Sequence, residues 1–320
     1  MFGLKTECAL RLDEEYHGLD DYQGRMARWC PGCGDNGILA ATQRLCRDEQ
    51  LPPEKTVFVS GIGCAARFPH YMKTYGFHGL HGRALPTAQG IKIRRPDLHV
   101  FVNMGDGDCC SIGTAHWIHM IRMNMNLVAC LHDNNIYGLT KNQASPTTPA
   151  GMATATTPKG AYLKELNPLS ATLGVTNVSF VAQVVEWVPE LLFKVLQEAF
   201  HHRGFAFVRI LQRCPHFMPD LFTSLLNDPK KILVLESEGI SLSEATAKIY
   251  TNRRDHDVSD LATARALAED EGQVPVGVLY RNPGVPCYED LRRPARASSP
   301  ALVRNVLESA FDGFAINPGA

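Results

Sequence analysis

The side chains best suited to chemistry in this chain lie between Asn103 and Thr140. An apolar run from His99 to Asn103 leads into Gly105-Asp106-Gly107-Asp108. A helix-like segment follows, and a second apolar run from Leu127 to His132 leads into Asp133-Asn134-Asn135-Ile136-Tyr137-Gly138-Leu139-Thr140. A carboxylate, an amide oxygen and a main-chain carbonyl are hard donors that suit Mg²⁺, which takes a few protein oxygens and completes its shell with phosphate or water. Glycines beside the aspartate let backbone N–H groups close on phosphates with no Cβ in the way. A Gly-Asp-Gly turn taken alone reads first as a tight loop with an aspartate N-cap. The second polar loop brings Asn134, 28 positions after Asp106, to the same crevice if the two runs are neighbouring parallel strands.

A second set of reactive residues comes from cysteine. Cys30-Pro31-Gly32-Cys33 puts two thiols within reach of one centre, Cys64 follows the turn Gly61-Ile62-Gly63, and Cys214 stands in Gln212-Arg213-Cys214-Pro215. Zinc, a redox dithiol and an iron–sulfur cluster are all open to the first pair. Of the ten cysteines, Cys8, Cys46, Cys109, Cys110, Cys130 and Cys287 have no partner at metal spacing and are expected to be small buried hydrophobes.

Positioning these groups falls to apolar runs that read as buried strands: Thr56 to Ser60, His99 to Asn103, Leu127 to His132 and Phe205 to Leu211. Parallel neighbours end at one edge of a sheet, where α/β folds bind ligands. Asp106, Asn134, Cys64 and Cys214 then all project from that edge. The run from Trp29 to Gly37 is expected to open a helix, capped by Asp35 or Asn36, that continues through about Asp48. Another runs from Pro189 to His201, with Trp187 and Phe193 as core packing. Residues 144–159, rich in Ser, Thr and Pro, read as a long loop serving as a lid, a partner contact or a solvated connector. The fold class is α/β, a doubly wound, mostly parallel sheet. Residues 1–23 are expected to form an N-terminal arm, 24–222 the binding domain, and 223–320, with apolar runs Ile232 to Leu235 and Val276 to Tyr280, a C-terminal extension packing on the core and on partner subunits.

With 320 residues the chain can bury a large core, and a formal net charge of −1 gives no general pull toward nucleic acid or a membrane surface. No run of about 18 apolar residues is present, and residues 1–23 lack the apolar core of a signal, so a cytoplasmic protein is expected. A reducing compartment also disfavours a disulfide framework.

The Gly-Asp-Gly turn with its following Asn-Asn resembles the thiamine diphosphate fingerprint. Together with Trp29-Cys30-Pro31-Gly32-Cys33-Gly34, Gly61-Ile62-Gly63-Cys64, His81-Gly82-Arg83, the Asn-Asn-Ile-Tyr-Gly-Leu-Thr run and the late Cys-Pro, it resembles the β subunit of 2-oxoacid:ferredoxin oxidoreductases over residues 24–290. The segment from Cys64 to Met72 is most similar to the bacterial 2-oxoglutarate branch. That resemblance implies a thiamine-diphosphate-binding domain with Mg²⁺ held by the Asp106 and Asn134 side chains and the Ile136 carbonyl. It implies cofactor contacts at Ile62, Gly63, Cys64, Ala65, His81, Gly107, Asp108, Gly138 and Leu139. It favours a [4Fe–4S] cluster on Cys30, Cys33, Cys64 and Cys214 over zinc, because a cluster can take electrons singly from the cofactor. His81 and Arg67 are the candidate catalytic residues, Arg67 as a cation for a substrate carboxylate. Ala65-Ala66 and Lys141-Asn142-Gln143 depart from commoner members without removing a ligand. The implied reaction is CoA-dependent oxidative decarboxylation of 2-oxoglutarate to succinyl-CoA with ferredoxin as electron acceptor. Pyruvate or another 2-oxoacid, a non-redox thiamine decarboxylase and a zinc-stabilised scaffold are the alternatives. An α, or fused α/γ, subunit is expected to supply the aminopyrimidine site, in a dimer of heterodimers.

Overall fold

Several of the strands are apolar on both faces and therefore belong inside a sheet covered on both sides. A computed structural model describes residues 16–292 and 299–314; Cys8 and most of the N-terminal arm lie outside the described residues. The strands are β1 (Thr56–Ser60), β2 (Tyr75–His78), β3 (His99–Gly105), β4 (Leu127–Asp133), β5 (Ile136–Tyr137), β6 (Gln143–Ala144), β7 (Phe180–Val185), β8 (Phe205–Leu211), β9 (Ile232–Glu236), β10 (Arg253–Asp255) and β11 (Val274–Arg281). The helices are α1 (Asp35–Asp48), α2 (Ala84–Arg94), α3 (Thr114–Met123), α4 (Pro168–Leu173), α5 (Pro189–His201), α6 (Thr223–Asn227), α7 (Glu244–Ile249), α8 (Leu261–Ala268), α9 (Tyr288–Arg292) and α10 (Pro300–Asp312). Every residue of β1, β4 and β7 is buried.

Nine strands form one sheet in the order β10-β9-β11-β7-β8-β4-β3-β1-β2, and every pairing is parallel except that of β11 with β7. Ser60 lies beside Asn103, Gly105 beside His132 and Asp133 beside Leu211, so β1, β3, β4 and β8 end level on one edge. The loops carrying Cys64, Asp106, Asn134 and Cys214 leave from that edge. One core layer lies under α1 and α5, with Ile38, Leu45, Leu192 and Val195 against Phe180 and Val208. The other lies under α2, α3, α4 and α8, where Trp117 stacks on Phe207 at 5.5 Å.

The expected C-terminal extension takes a specific form. β9, β10 and β11 lengthen the same sheet instead of lying over it, because Ile232–Glu236 and Val274–Arg281 are as apolar as the central strands. Gly277 permits this junction: its φ is +125°, and a Cβ there would stand 2.8 Å from the Leu235 carbonyl oxygen. α5 spans the residues its periodicity indicates, with Pro189 in the first turn where no N–H is needed. α1 also ends where expected, at Asp48, but its cap differs. Gly34 occupies the N-cap position, and Asp35, wholly buried, turns its carboxylate inward to His132.

Candidate active site

Three loops at the sheet edge enclose a cavity of about 410 Å³: residues 62–65 after β1, 105–108 after β3 and 134–140 after β4, with His81 beside them. All the expected cofactor contacts and the three expected Mg²⁺ ligands line it. Gly63 and Gly105 face open space, with no atom within 4 Å of where a Cβ would stand, so bare backbone meets whatever fills the cavity. Gly107 is glycine for another reason: the Tyr137 ring lies where its Cβ would be, and the Tyr137 hydroxyl donates to the Gly107 carbonyl at 3.0 Å.

Asp106 is 2% exposed and, among the described residues, has no ion-pair partner. Its Oδ2 accepts from Ser145 Oγ at 2.5 Å and from Thr147 Oγ1 at 2.8 Å. Burial, and next the nearby charge of Asp133, push its carboxyl up to about 7. Asp133 differs in holding Arg209 at 2.7 Å. A buried carboxylate without a countercharge, beside an open glycine cradle, is the donor set a divalent cation and a diphosphate would complete. The sequence reading missed Ser145 and Thr147. Their segment lies within the expected long loop, yet its first residues pack beneath the site. Thr148 Oγ1 donates to the Asn135 carbonyl at 2.6 Å, and Asn135 Nδ2 donates to the Thr147 carbonyl. Farther along, Tyr162 and Leu163 remain about four-fifths exposed.

Asn134 is oriented by its neighbours: Oδ1 accepts from Ile136 N at 3.2 Å and Nδ2 donates to Gln212 Oε1 at 2.8 Å. Asp108 has a different use from that of Asp106. Its Oδ1 accepts from Gly82 N at 2.6 Å and from Ile62 N at 3.2 Å, which ties the β1 and β3 loops to the turn before α2. His81 Nδ1 stands 2.9 Å from the same oxygen but off the line a hydrogen bond needs. Burial raises the Asp108 carboxyl, and the two backbone donors oppose it.

A second cavity, of about 260 Å³, adjoins the first and is lined by Cys30, Cys33, Cys64 and Cys214, all free thiols. Cys64 and Asn134 face both cavities, as do Gly138 and Leu139. A Cβ on Gly138 would stand 3.7 Å from Cys64 Sγ and 3.9 Å from Cys214 Sγ, so the absence of a side chain there leaves room beside both thiols. Burial pushes the Cys33 thiol well up and the Cys64 thiol up to about 12, with Asp35 and neighbouring cysteines adding to both. Thiols held up in this way, as Cys33 and Cys64 are, become thiolates only with a positive centre beside them. Among the described residues, no three His, Cys, Asp or Glu side chains gather as the ligands of one ion. A cluster spans a wider space than a single ion, so this spread cavity does not conflict with it. Cys46, Cys109, Cys110, Cys130 and Cys287 are buried elsewhere, as expected of small hydrophobes.

Arg67 does not line the larger cavity. It stands at the junction of the cysteine cavity and a basic groove that also holds Arg25, Arg28, His70 and His78. Its Nη1 approaches the Arg28 carbonyl at 3.5 Å and its guanidinium lies 5.7 Å from the Tyr71 ring, with no carboxylate partner among the described residues. Trp29 Nε1 donates to the Cys64 carbonyl at 2.7 Å, which holds this loop against the first cysteine pair. Beneath both cavities runs a buried chain absent from the sequence reading. Asp35 Oδ1 meets His132 Nδ1 at 2.7 Å, and His132 Nε2 meets Asn103 Nδ2 at 3.0 Å.

Residues 61–210 match the family described as "Thiamine pyrophosphate enzyme, C-terminal TPP binding domain", and residues 244–296 match the family of the C-terminal region of the pyruvate ferredoxin oxidoreductase β chain. The chain is 36% identical to the 2-oxoacid:ferredoxin oxidoreductase subunit beta of Saccharolobus solfataricus over 265 residues, 82% of this chain and 84% of that one. It is 45% identical to the 2-oxoglutarate oxidoreductase subunit KorB of Mycobacterium tuberculosis over 213 residues, 67% of this chain but 57% of that relative's length. Among solved structures, a 2-oxoglutarate:ferredoxin oxidoreductase from Magnetococcus marinus with 2-oxoglutarate, coenzyme A and succinyl-CoA bound superposes with a TM-score of 0.74. Identity is 34%, with 96% of this chain and 98% of that chain covered. Among the described residues no helix is long and apolar enough to cross a membrane.

Proposed function

The chain belongs to the β subunits of the 2-oxoacid:ferredoxin oxidoreductases, and from that membership we propose that it holds Mg²⁺ and thiamine diphosphate in the larger cavity and one [4Fe–4S] cluster in the smaller. The reaction assigned is CoA-dependent oxidative decarboxylation of 2-oxoglutarate to succinyl-CoA and CO₂, with electrons passing through the cluster to ferredoxin. The observation that carries this reading is the wall common to both cavities, formed by Cys64, Asn134, Gly138 and Leu139. It supports two cofactors held as neighbours, which a two-electron oxidation feeding a one-electron acceptor requires.

Bound thiamine diphosphate supplies the carbon nucleophile for the keto group and a sink for the charge left by CO₂, and the cluster takes electrons singly. The chain's own residues do the holding. Asp106, Asn134 and the Ile136 carbonyl would ligate Mg²⁺, and Ser145 and Thr147 engage Asp106 Oδ2, leaving Oδ1 for the cation. Gly63 and Gly105 give the diphosphate unobstructed backbone. His81, set against Asp108 at the cavity wall, is the imidazole that would contact the cofactor.

Arg67 would take the distal carboxylate of 2-oxoglutarate, a role supported by its lack of a carboxylate partner among the described residues and by the basic groove beside it. A charge-assisted bond of this kind contributes about 1.5–3 kcal/mol. Arg67→Ala is therefore expected to lower kcat/KM for 2-oxoglutarate roughly 10- to 100-fold more than for pyruvate. Equal losses on the two substrates would assign Arg67 to the fold or to the carboxylate both substrates have.

Among the described residues there is one large sheet, which carries the diphosphate end of the site; a partner must bring the aminopyrimidine end. Leu80, Ile112 and Leu139, each roughly half to three-quarters exposed, leave apolar surface near the cavity for that partner to cover. The test is anaerobic reconstitution of the chain with cluster, Mg²⁺ and thiamine diphosphate, followed by 2-oxoglutarate-dependent reduction of a viologen dye with and without the companion subunit. Turnover only with the companion, with cluster and cofactor bound, is the expected result. A preparation that binds zinc and no thiamine diphosphate overturns the reading.

A further inference from the structure

Gln212, 1% exposed just past the end of β8, uses both ends of its amide. Its Oε1 accepts from Asn134 Nδ2 at 2.8 Å, while its Nε2 donates to Cys33 Sγ at 3.3 Å and to the Arg213 carbonyl at 2.5 Å. Its backbone N donates to the Asp133 carbonyl at 3.0 Å, so the residue is anchored to the end of β4 as well. The polarity of this chain is set from one end. Ile136 N–H needs an acceptor and takes Asn134 Oδ1 at 3.2 Å, which turns Asn134 Nδ2 toward Gln212. Gln212 must answer with its oxygen, and its NH₂ group is thereby aimed at the sulfur.

We propose that Gln212 is a positioning residue that couples the two cofactor sites, holding Asn134 in the orientation that offers its oxygen to the cation while donating an N–H···S bond to Cys33. This inference rests on the cofactor reading given above. An N–H donor withdraws electron density from a ligating thiolate and favours the reduced cluster, so its contribution is to raise the reduction potential. The opposite influence is already present, since Asp35 Oδ2 lies 3.6 Å from the same sulfur. At the other end, an Asn134 amide released from Gln212 is free to turn its NH₂ toward the cation. Partners that orient a metal ligand typically contribute about 10- to 100-fold in metal affinity.

Two variants separate the two ends. Gln212→Glu keeps an oxygen for Asn134 and removes the donor to sulfur; Gln212→Leu removes both. Each is studied in the complex with the companion subunit, with the cluster midpoint potential read by EPR-monitored titration and Mg²⁺-dependent thiamine diphosphate affinity read by calorimetry. The expected results are a lowered potential in both variants, thiamine diphosphate affinity within about twofold of wild type in Gln212→Glu, and affinity reduced roughly tenfold or more in Gln212→Leu. Gln212→Leu adds no charge, so its potential reports the lost N–H···S donor, whereas the carboxylate of Gln212→Glu lowers the potential further by its own charge. Wild-type potential in Gln212→Leu, or wild-type affinity in Gln212→Leu, overturns the coupling. The unmodified complex provides the separate control: if it shows no cluster signal or no Mg²⁺-dependent cofactor binding, the cofactor assignment itself has failed.

Discussion

Replacing Asp106 by alanine is expected to abolish Mg²⁺-dependent retention of thiamine diphosphate and to leave the cluster in place. Asp106 is the one proposed ligand with a full charge, and its neighbours at Oδ2 are two hydroxyls, which cannot neutralise it. Its carboxyl is pushed up by burial and by Asp133, so holding its charge is unfavourable unless a divalent cation stands beside it. Removing a direct charged ligand should cost at least the roughly 100-fold that loss of an outer partner can cost. Asp106→Asn keeps the shape and one oxygen and should retain part of the affinity. The measurement is cofactor retention after anaerobic gel filtration, with calorimetry for the residual binding and the visible spectrum for the cluster. Because the substitution also removes repulsion toward Asp133, folding should survive it, and lost binding can be read as lost ligation. Normal cofactor retention in Asp106→Ala would sink the assignment of the cavity.

The central sheet was legible because burial on both faces leaves a continuous apolar run: Thr56–Ser60 and Phe205–Leu211 have the bounds their composition indicates. Three strands of the sheet, β2, β7 and β10, were not read. In β7 the apolar run is broken by Gln183, which is tolerated because Pro275 O and Arg209 satisfy its amide, an arrangement created by tertiary pairing. β2 is an exposed edge strand with a glycine, so it carries no burial signal. The same distinction governs the site. Glycines, acids and cysteines at strand ends follow from local sequence, and the loops carrying them converge as parallel pairing requires. Ser145 and Thr147 meet Asp106 across about 40 positions of chain, and Asp35 meets His132 across 97. No local pattern encodes such contacts. Asp35 illustrates the difference well, since its position invites the role of helix cap, whereas the buried imidazole of His132 provides a better partner than solvent-facing N–H groups.

Cys64→Ser and Cys214→Ser should each remove or destabilise the cluster, while Cys110→Ser leaves it intact. Cys64 and Cys214 come from loops after different strands, and both sulfurs lie within 4 Å of where a Cβ on Gly138 would stand. Neither can be replaced by the other, and a serine hydroxyl is a poor substitute for thiolate at iron. Cys110 provides a demanding control. It is 5% exposed, sits beside Cys109 just past residues 105–108, and lines neither cavity, so a serine there perturbs packing close to the site without touching the proposed ligands. Visible absorbance and the EPR signal after reduction report the cluster, and thiamine diphosphate binding is measured on the same samples. Cys64 separates the two sites most sharply, because it faces both cavities but is proposed to give its sulfur only to the cluster. Its serine variant should therefore lose the cluster while still binding Mg²⁺ and thiamine diphosphate through Asp106 and Asn134. It should also fail to pass electrons to a viologen dye. An unchanged cluster spectrum in Cys64→Ser or Cys214→Ser would show that the four-cysteine set is wrong. A spectrum lost equally in Cys110→Ser would mean that absorbance is reporting the integrity of the fold instead of ligation.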